Sequence, residues 1–119
     1  MERVKWIDHK GKKILLGDLS KAMPEEWPEI DKQYDQCFKG MPEGSVRSLI
    51  CVEDAHFNAD ILLKLKERAK QDTPLVKKTA FVGITGLKKA VLGNLLRFAG
   101  RKAEIFEDRE KAKDWLAED

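Results

Sequence analysis

Two β-rich apolar runs, VRSLICV at residues 46–52 and TAFVGI at residues 79–84, are separated by a stretch patterned as a helix. In that stretch Ile61, Leu62, Leu65 and Ala69 recur on one side, while Lys64, Arg68 and Lys70 are predicted to face out. Strands joined through a helix run parallel, since antiparallel neighbours need only a short turn. The first run is also continuously apolar at its end, as expected of a parallel strand covered on both faces. These features commit the chain to a largely parallel sheet with helices packed on it.

The flanking segments extend the pattern. Val4 and Trp6, then Ile14 to Leu16, lie either side of His9-Lys10-Gly11-Lys12 and predict a strand–turn–strand opening. Pro24-Glu25-Glu26-Trp27-Pro28 opens a helix, with proline tolerated in the first turn and glutamates suited to its positive end. Trp27, Ile30, Tyr34, Phe38 and Met41 form its buried stripe, and Gly40 and Pro42 mark its end. Asn58 is placed to cap the next helix, with Phe57 and Leu62 as a hydrophobic staple. A third helix is predicted over residues 87–98, stopped by Gly100. AEIFED is the last strand, and Asp108 caps a final helix whose Ala112, Trp115 and Leu116 point inward. The expected architecture is α/β: a mixed, mostly parallel five-stranded sheet in the order β-β-α-β-α-β-α-β-α, with four helices, as one domain over residues 1–119.

Composition bounds the class. A chain of 119 residues makes one core, and 37% charged residues predict a heavily solvated surface on a soluble protein. Cys37 and Cys51 have no metal-ligand spacing and read as small core residues in a reducing compartment. No run approaches a membrane span and the first residues lack a signal peptide's apolar stretch, so the expected localisation is cytoplasmic, without stable membrane insertion. Residues 61–102 carry 11 basic and 2 acidic side chains. A basic block of this kind is most simply the solvated side of two helices. Its aromatics, Phe81 and Phe98, fall on faces predicted to be buried, so no stacking platform for nucleic acid is expected.

Two loops at predicted strand ends hold candidate ligand-binding residues. In GITGLKK, Thr85 can cap a helix, Gly86 leaves backbone N–H groups accessible, and Lys88 or Lys89 can pair with an anion. The phosphate-loop pattern nevertheless fails: Gly83 and Gly86 are too close, and Lys88-Lys89 is followed by Ala90. A structural strand-to-helix turn is the simpler reading. In VEDAHFNAD, the polar groups of Glu53, Asp54, His56, Asn58 and Asp60 are close-spaced. No second cluster completes a coordination shell, so capping and surface roles are expected, with no metal, no cofactor and no catalytic residue. On the 87–98 helix, Leu92, Leu96 and Ala99 widen the apolar arc beyond one packed face, which suggests a second contact: the terminal helix, another subunit or a lipid-like ligand.

Element order and two motifs, KKTAFVGI and RKAEIFEDREKAKDWL, make the chain resemble the STAS superfamily, specifically its SpoIIAA-like branch. That branch is linked by fold to lipid-binding CRAL-TRIO domains. The matching positions are Ala80 to Gly83, Ile105-Phe106, and Ala112 with Trp115-Leu116. The resemblance implies a small non-enzymatic α/β domain, often dimeric, used in regulation or ligand binding. It also implies a switch serine at the start of the helix after the central strand. Here that segment, EDAHFNADILL, has no Ser or Thr, so a phosphorylation switch is unavailable at that place.

The function expected from the sequence is therefore a non-enzymatic STAS-like regulatory or protein-interaction module, a homodimer with a possible protein partner. The rival is a binder of a small hydrophobic or anionic ligand, lipid or nucleotide, held between the helices or at the two loops. A pocket lined by Trp27, Phe57 or Phe98 favours the rival, and a solid core there counts against it.

Overall fold

Lys10 and Gly11 both adopt positive φ, 50° and 78°, and this two-residue turn folds β1 (Val4–His9) back onto β2 (Lys12–Asp18). Paired left-handed residues match the twist of a hairpin, which fixes the antiparallel register from Val4↔Gly17 to His9↔Lys12. The computed structural model describes residues 2–84 and 102–118. After the hairpin come a 3-10 turn (Pro24–Glu26), α1 (Trp27–Phe38), β3 (Val46–Cys51) and α2 (Ala59–Asp72). A second 3-10 turn (Thr73–Leu75), β4 (Val76–Val82), β5 (Ala103–Phe106) and α3 (Arg109–Ala117) complete the described elements. The predicted helix over 87–98 lies outside the described residues, and with it Thr85, Gly86, Lys88, Lys89, Leu92, Leu96 and Ala99.

The five strands lie in sequence order, β1-β2-β3-β4-β5. Among the described residues β1 and β2 alone pair antiparallel; β2–β3 and β3–β4 are parallel, as the crossovers through α1 and α2 require, and β4–β5 is parallel too. The sheet is the expected mixed, mostly parallel one, with three α-helices among the described residues.

Alternation along the strands divides the core in two. Leu15, Val46, Val52 and Phe81 meet Trp27, Ile30, Tyr34 and Phe38 of α1 and Ile61 of α2. On the opposite face Ile14, Leu49, Cys51, Ala80 and Val82 meet Ala112 and Leu116 of α3. Gly17 lets α1 approach β2: a Cβ there would collide with the hydroxyl end of Tyr34 and lie 2.9 Å from its Cζ. The predicted α1 stripe is buried from Trp27 to Phe38, with Met41 packed partly against it. Cys51 is fully buried, but Cys37 is only half-buried on the flank of α1, and both thiols are free.

Side chains finish the element ends. Asn58 Oδ1 accepts from Ile61 N at 2.8 Å and Asp108 Oδ1 from Glu110 N at 2.7 Å, so both expected N-caps are in place. At the other end of α3, Lys78 Nζ donates to the Trp115 carbonyl at 2.5 Å and Arg47 Nη1 to the Glu118 carbonyl at 3.0 Å. These buried cations satisfy carbonyls at the negative end of the helix. At the sheet edge, Gln33 Oε1 of α1 accepts from both Arg3 N (2.8 Å) and Val4 N (2.9 Å).

Candidate functional site

Parallel strands deliver their loops to one edge of the sheet, where ligands of open α/β folds gather. Here three loops meet there. Leu19 N donates to the Cys51 carbonyl (2.8 Å), Lys21 N to the Glu53 carbonyl (2.8 Å), and Val52 N to the Val82 carbonyl (2.9 Å). Each loop turns through a left-handed residue: Lys21 (φ 58°), Asp54 (φ 56°) and Gly83 (φ 88°). At Gly83 the backbone lies against its neighbour, since a Cβ there would fall 2.7 Å from Glu53 N. Glycine is therefore required at that turn for both conformation and space.

Arg109, the first residue of α3, crosses this edge. Its Nε donates to Glu53 Oε2 at 3.0 Å and its Nη2 to Asp18 Oδ1 at 3.2 Å. The same Asp18 oxygen accepts from Ser20 Oγ at 2.7 Å. Burial alone would raise the Asp18 pKa, but hydrogen bonds from Ser20 and the guanidinium of Arg109 outweigh it, and the net shift is downward. Beneath the cluster, burial pushes the Cys51 thiol up to about 12, which leaves it protonated and a poor nucleophile.

The residues singled out in the sequence sit beside this network. Asp54 and His56 are exposed; the His56 backbone N–H donates to the Ala22 carbonyl at 2.8 Å, and the Asn58 side chain caps α2. Among the described residues no group of three or more His, Cys, Asp and Glu side chains is placed to hold a metal ion. Asp18, Ser20 and Arg109 went unnoticed in the sequence, and no local signal marks them: Asp18 and Arg109 are 91 positions apart. His9, at the far end of β1, contacts Asp114 of α3 through Nε2 at 2.7 Å.

The second place is a cavity of about 50 Å³ between α1, α2 and the sheet. Trp27, Tyr34 and Phe38 of α1 wall one side, Phe57 and Leu65 the other, and Ile50 and Phe81 form the floor. Trp27 and Phe57 are two of the three residues whose presence in a pocket favours a ligand binder; the third, Phe98, lies outside the described residues. Ile50 is in β3, the central strand, yet it is only half-buried, as are Phe57 and Leu65. A central-strand residue under close-packed helices would be fully buried, so α1 and α2 leave a gap that reaches the sheet.

Above the cavity runs a groove of about 390 Å³ between the helices, bordered by Trp27, Pro28, Asp31, Lys64, Glu67, Arg68 and Gln71. Arg68 corrects the sequence-based expectation that it faces solvent: it is 9% exposed. Three carboxylates explain its burial. Its Nε is 2.8 Å from Asp31 Oδ1, its Nη1 is 3.6 Å from Asp72 Oδ2, and its Nη2 donates to Asp35 Oδ1. The guanidinium carbon also lies 5.6 Å from the centre of the Tyr34 ring. A buried arginine is tolerable when paired in this way.

The five-stranded, mostly parallel sheet with helices on both faces defines an α/β protein of SpoIIAA-like fold. The structure is similar to the crystal structure of an uncharacterized protein from the DUF3478 family, with a SpoIIAA-like fold, from Shewanella loihica PV-4. The TM-score is 0.78 at 15% sequence identity, covering 96% of this chain and 92% of that one. At that identity the likeness establishes the fold, in agreement with the resemblance read from the motifs. No protein-family model matches the sequence, and no curated protein matches it. Among the described residues no helix is long and apolar enough to cross a membrane.

Proposed function

We propose that this protein is a non-enzymatic binding module that holds a small, neutral, apolar molecule between α1, α2 and the sheet. The observation that carries the reading is the half-buried Ile50 at the floor of an aromatic-walled cavity, on the strand where packing should be tightest. Small apolar cavities stay dry and take up apolar guests of matching size. Neutrality follows from Arg68. Among the described residues it is the cation in the cavity wall, and Asp31, Asp35 and Asp72 already outnumber it. An anionic head group arriving there would meet net negative charge, which weighs against a nucleotide or a lipid phosphate in this cavity.

A non-enzymatic role is supported by the state of the polar groups at the sheet edge. Asp18 and Glu53 are both engaged by Arg109, and Cys51 is held as a thiol. The test combines native mass spectrometry of the purified protein with methyl NMR under xenon, an apolar atom suited to a cavity of about 50 Å³. Xenon should shift the methyl resonances of Ile50 and Leu65, and in Ile50→Phe the Leu65 shift should disappear. Unmoved methyls, together with no retained small molecule in the mass spectrum, would overturn the reading.

A further inference from the structure

Arg68 belongs to α2, but two of its three carboxylate partners, Asp31 and Asp35, belong to α1. Arg68 and Trp27 border both the inner cavity and the outer groove, so they form the wall between them. The groove of about 390 Å³ is far roomier than the cavity of about 50 Å³ beneath it. A molecule entering from solvent therefore passes the point where α2 is tied to α1 by charge. The inner partner, Asp72, is on the same helix as Arg68 and buried, so it keeps the guanidinium paired if the other two let go. Asp31 and Asp35 have side chains 44% and 56% exposed, so water can receive them when they separate from Arg68.

From this arrangement we infer that Arg68 is the gate of the cavity. Its ion pairs to Asp31 and Asp35 hold α1 and α2 closed over the aromatic pocket, and an apolar guest enters when these pairs part while Asp72 retains the arginine. The inference rests on the binding reading above and adds what controls access to that site. Partly exposed ion pairs are weak and screened by salt, which suits a closure that must open often.

The test is the exchange rate of xenon between solvent and cavity, read from the Ile50 and Leu65 methyl resonances. The double variant Asp31→Asn/Asp35→Asn removes the cross-helix pairs and leaves Arg68 with Asp72. It should exchange xenon about three- to tenfold faster than wild type, the factor two weak ion pairs supply. Raising the salt concentration should speed exchange in the wild type and leave the double variant unchanged. Xenon uptake at the same rate in both proteins would overturn the gate and leave the cavity standing. Absence of uptake in both, with no small molecule retained in the mass spectrum, would overturn the binding reading and the gate with it. Circular dichroism of the variant confirms that the fold is retained, since both substituted carboxylates are at the surface.

Discussion

On the α3 face of the sheet Leu49, Ala80, Ala112 and Leu116 are fully buried, whereas on the opposite face Ile50, the next residue of the same strand, still meets solvent. The two faces are closed by different means. Small residues, Ala80 on the strand and Ala112 on the helix, let α3 lie close, and Lys78 and Arg47 fasten its last turn. The other face is covered by large aromatics from α1, which prop the layer open, and α1 meets α2 partly through charge at Arg68. Apolar contact over small side chains seals the middle of the α3 layer, with Leu16, Phe106 and Trp115 half-buried around it. Bulky side chains bridged by ion pairs give a layer with room in it.

Four measurements sharpen or break that contrast. Leu116→Ala should cost about 3 kcal/mol, the usual price of emptying a fully buried leucine site. Urea denaturation reads it, and a loss below about 1 kcal/mol would mean that the α3 face can collapse and is not solid. Adding volume separates the faces more directly. Leu49→Phe should destabilise by about 2 kcal/mol, because its side has no space, while Ile50→Phe should stay within about 0.5 kcal/mol of wild type. Equal effects at the two neighbours would erase the distinction.

Gly17→Ala should cost about 1.5 kcal/mol, by forcing Tyr34 off the strand where α1 lies close to β2. If thermal melting of that variant matches the wild type, α1 is free to shift and the cavity is softer than described. The smallest effect belongs to the sheet edge. The Asp18 pKa is lowered in the folded protein, so its contribution is present above the ordinary carboxylate value of 3.8 and is lost as pH falls through the lower folded value. Asp18→Asn should flatten the acid limb of the stability curve slightly, since the side chain is 40% exposed and its interactions are screened by water. An acid limb identical to wild type would remove Asp18 from the account.

Much of the scaffold was legible because it depends on neighbours in sequence. Asn58 and Asp108 cap helices a few residues downstream, and the Trp27-to-Phe38 stripe repeats at helical spacing. The sites were less legible because they depend on neighbours in space. Arg68 reads as solvent-facing from the spacing of the apolar residues on its helix, and nothing local says that Asp31 and Asp35, on a different helix, will stand against it. Arg109 reads from the sequence as an ordinary residue of a helix start, where a cation is disfavoured by the helix dipole. Only Asp18 and Glu53, brought over by two strand ends, account for its position. Trp27 and Phe57 were named as pocket residues, but the gap itself depends on how far α1 and α2 stand apart, which no periodicity encodes.

The bond from Gln33 to the start of β1 bears on how the protein behaves when crowded. The edge of a sheet invites strands from other molecules, and a row of free amides is what they would add to. Here one glutamine oxygen accepts from the amide of Val4, the first residue of that strand, and from the amide of Arg3 just before it. A foreign strand approaching this margin would have to evict α1's side chain before laying down its first rung. Replacing Gln33 would therefore remove a guard against fibrous self-association.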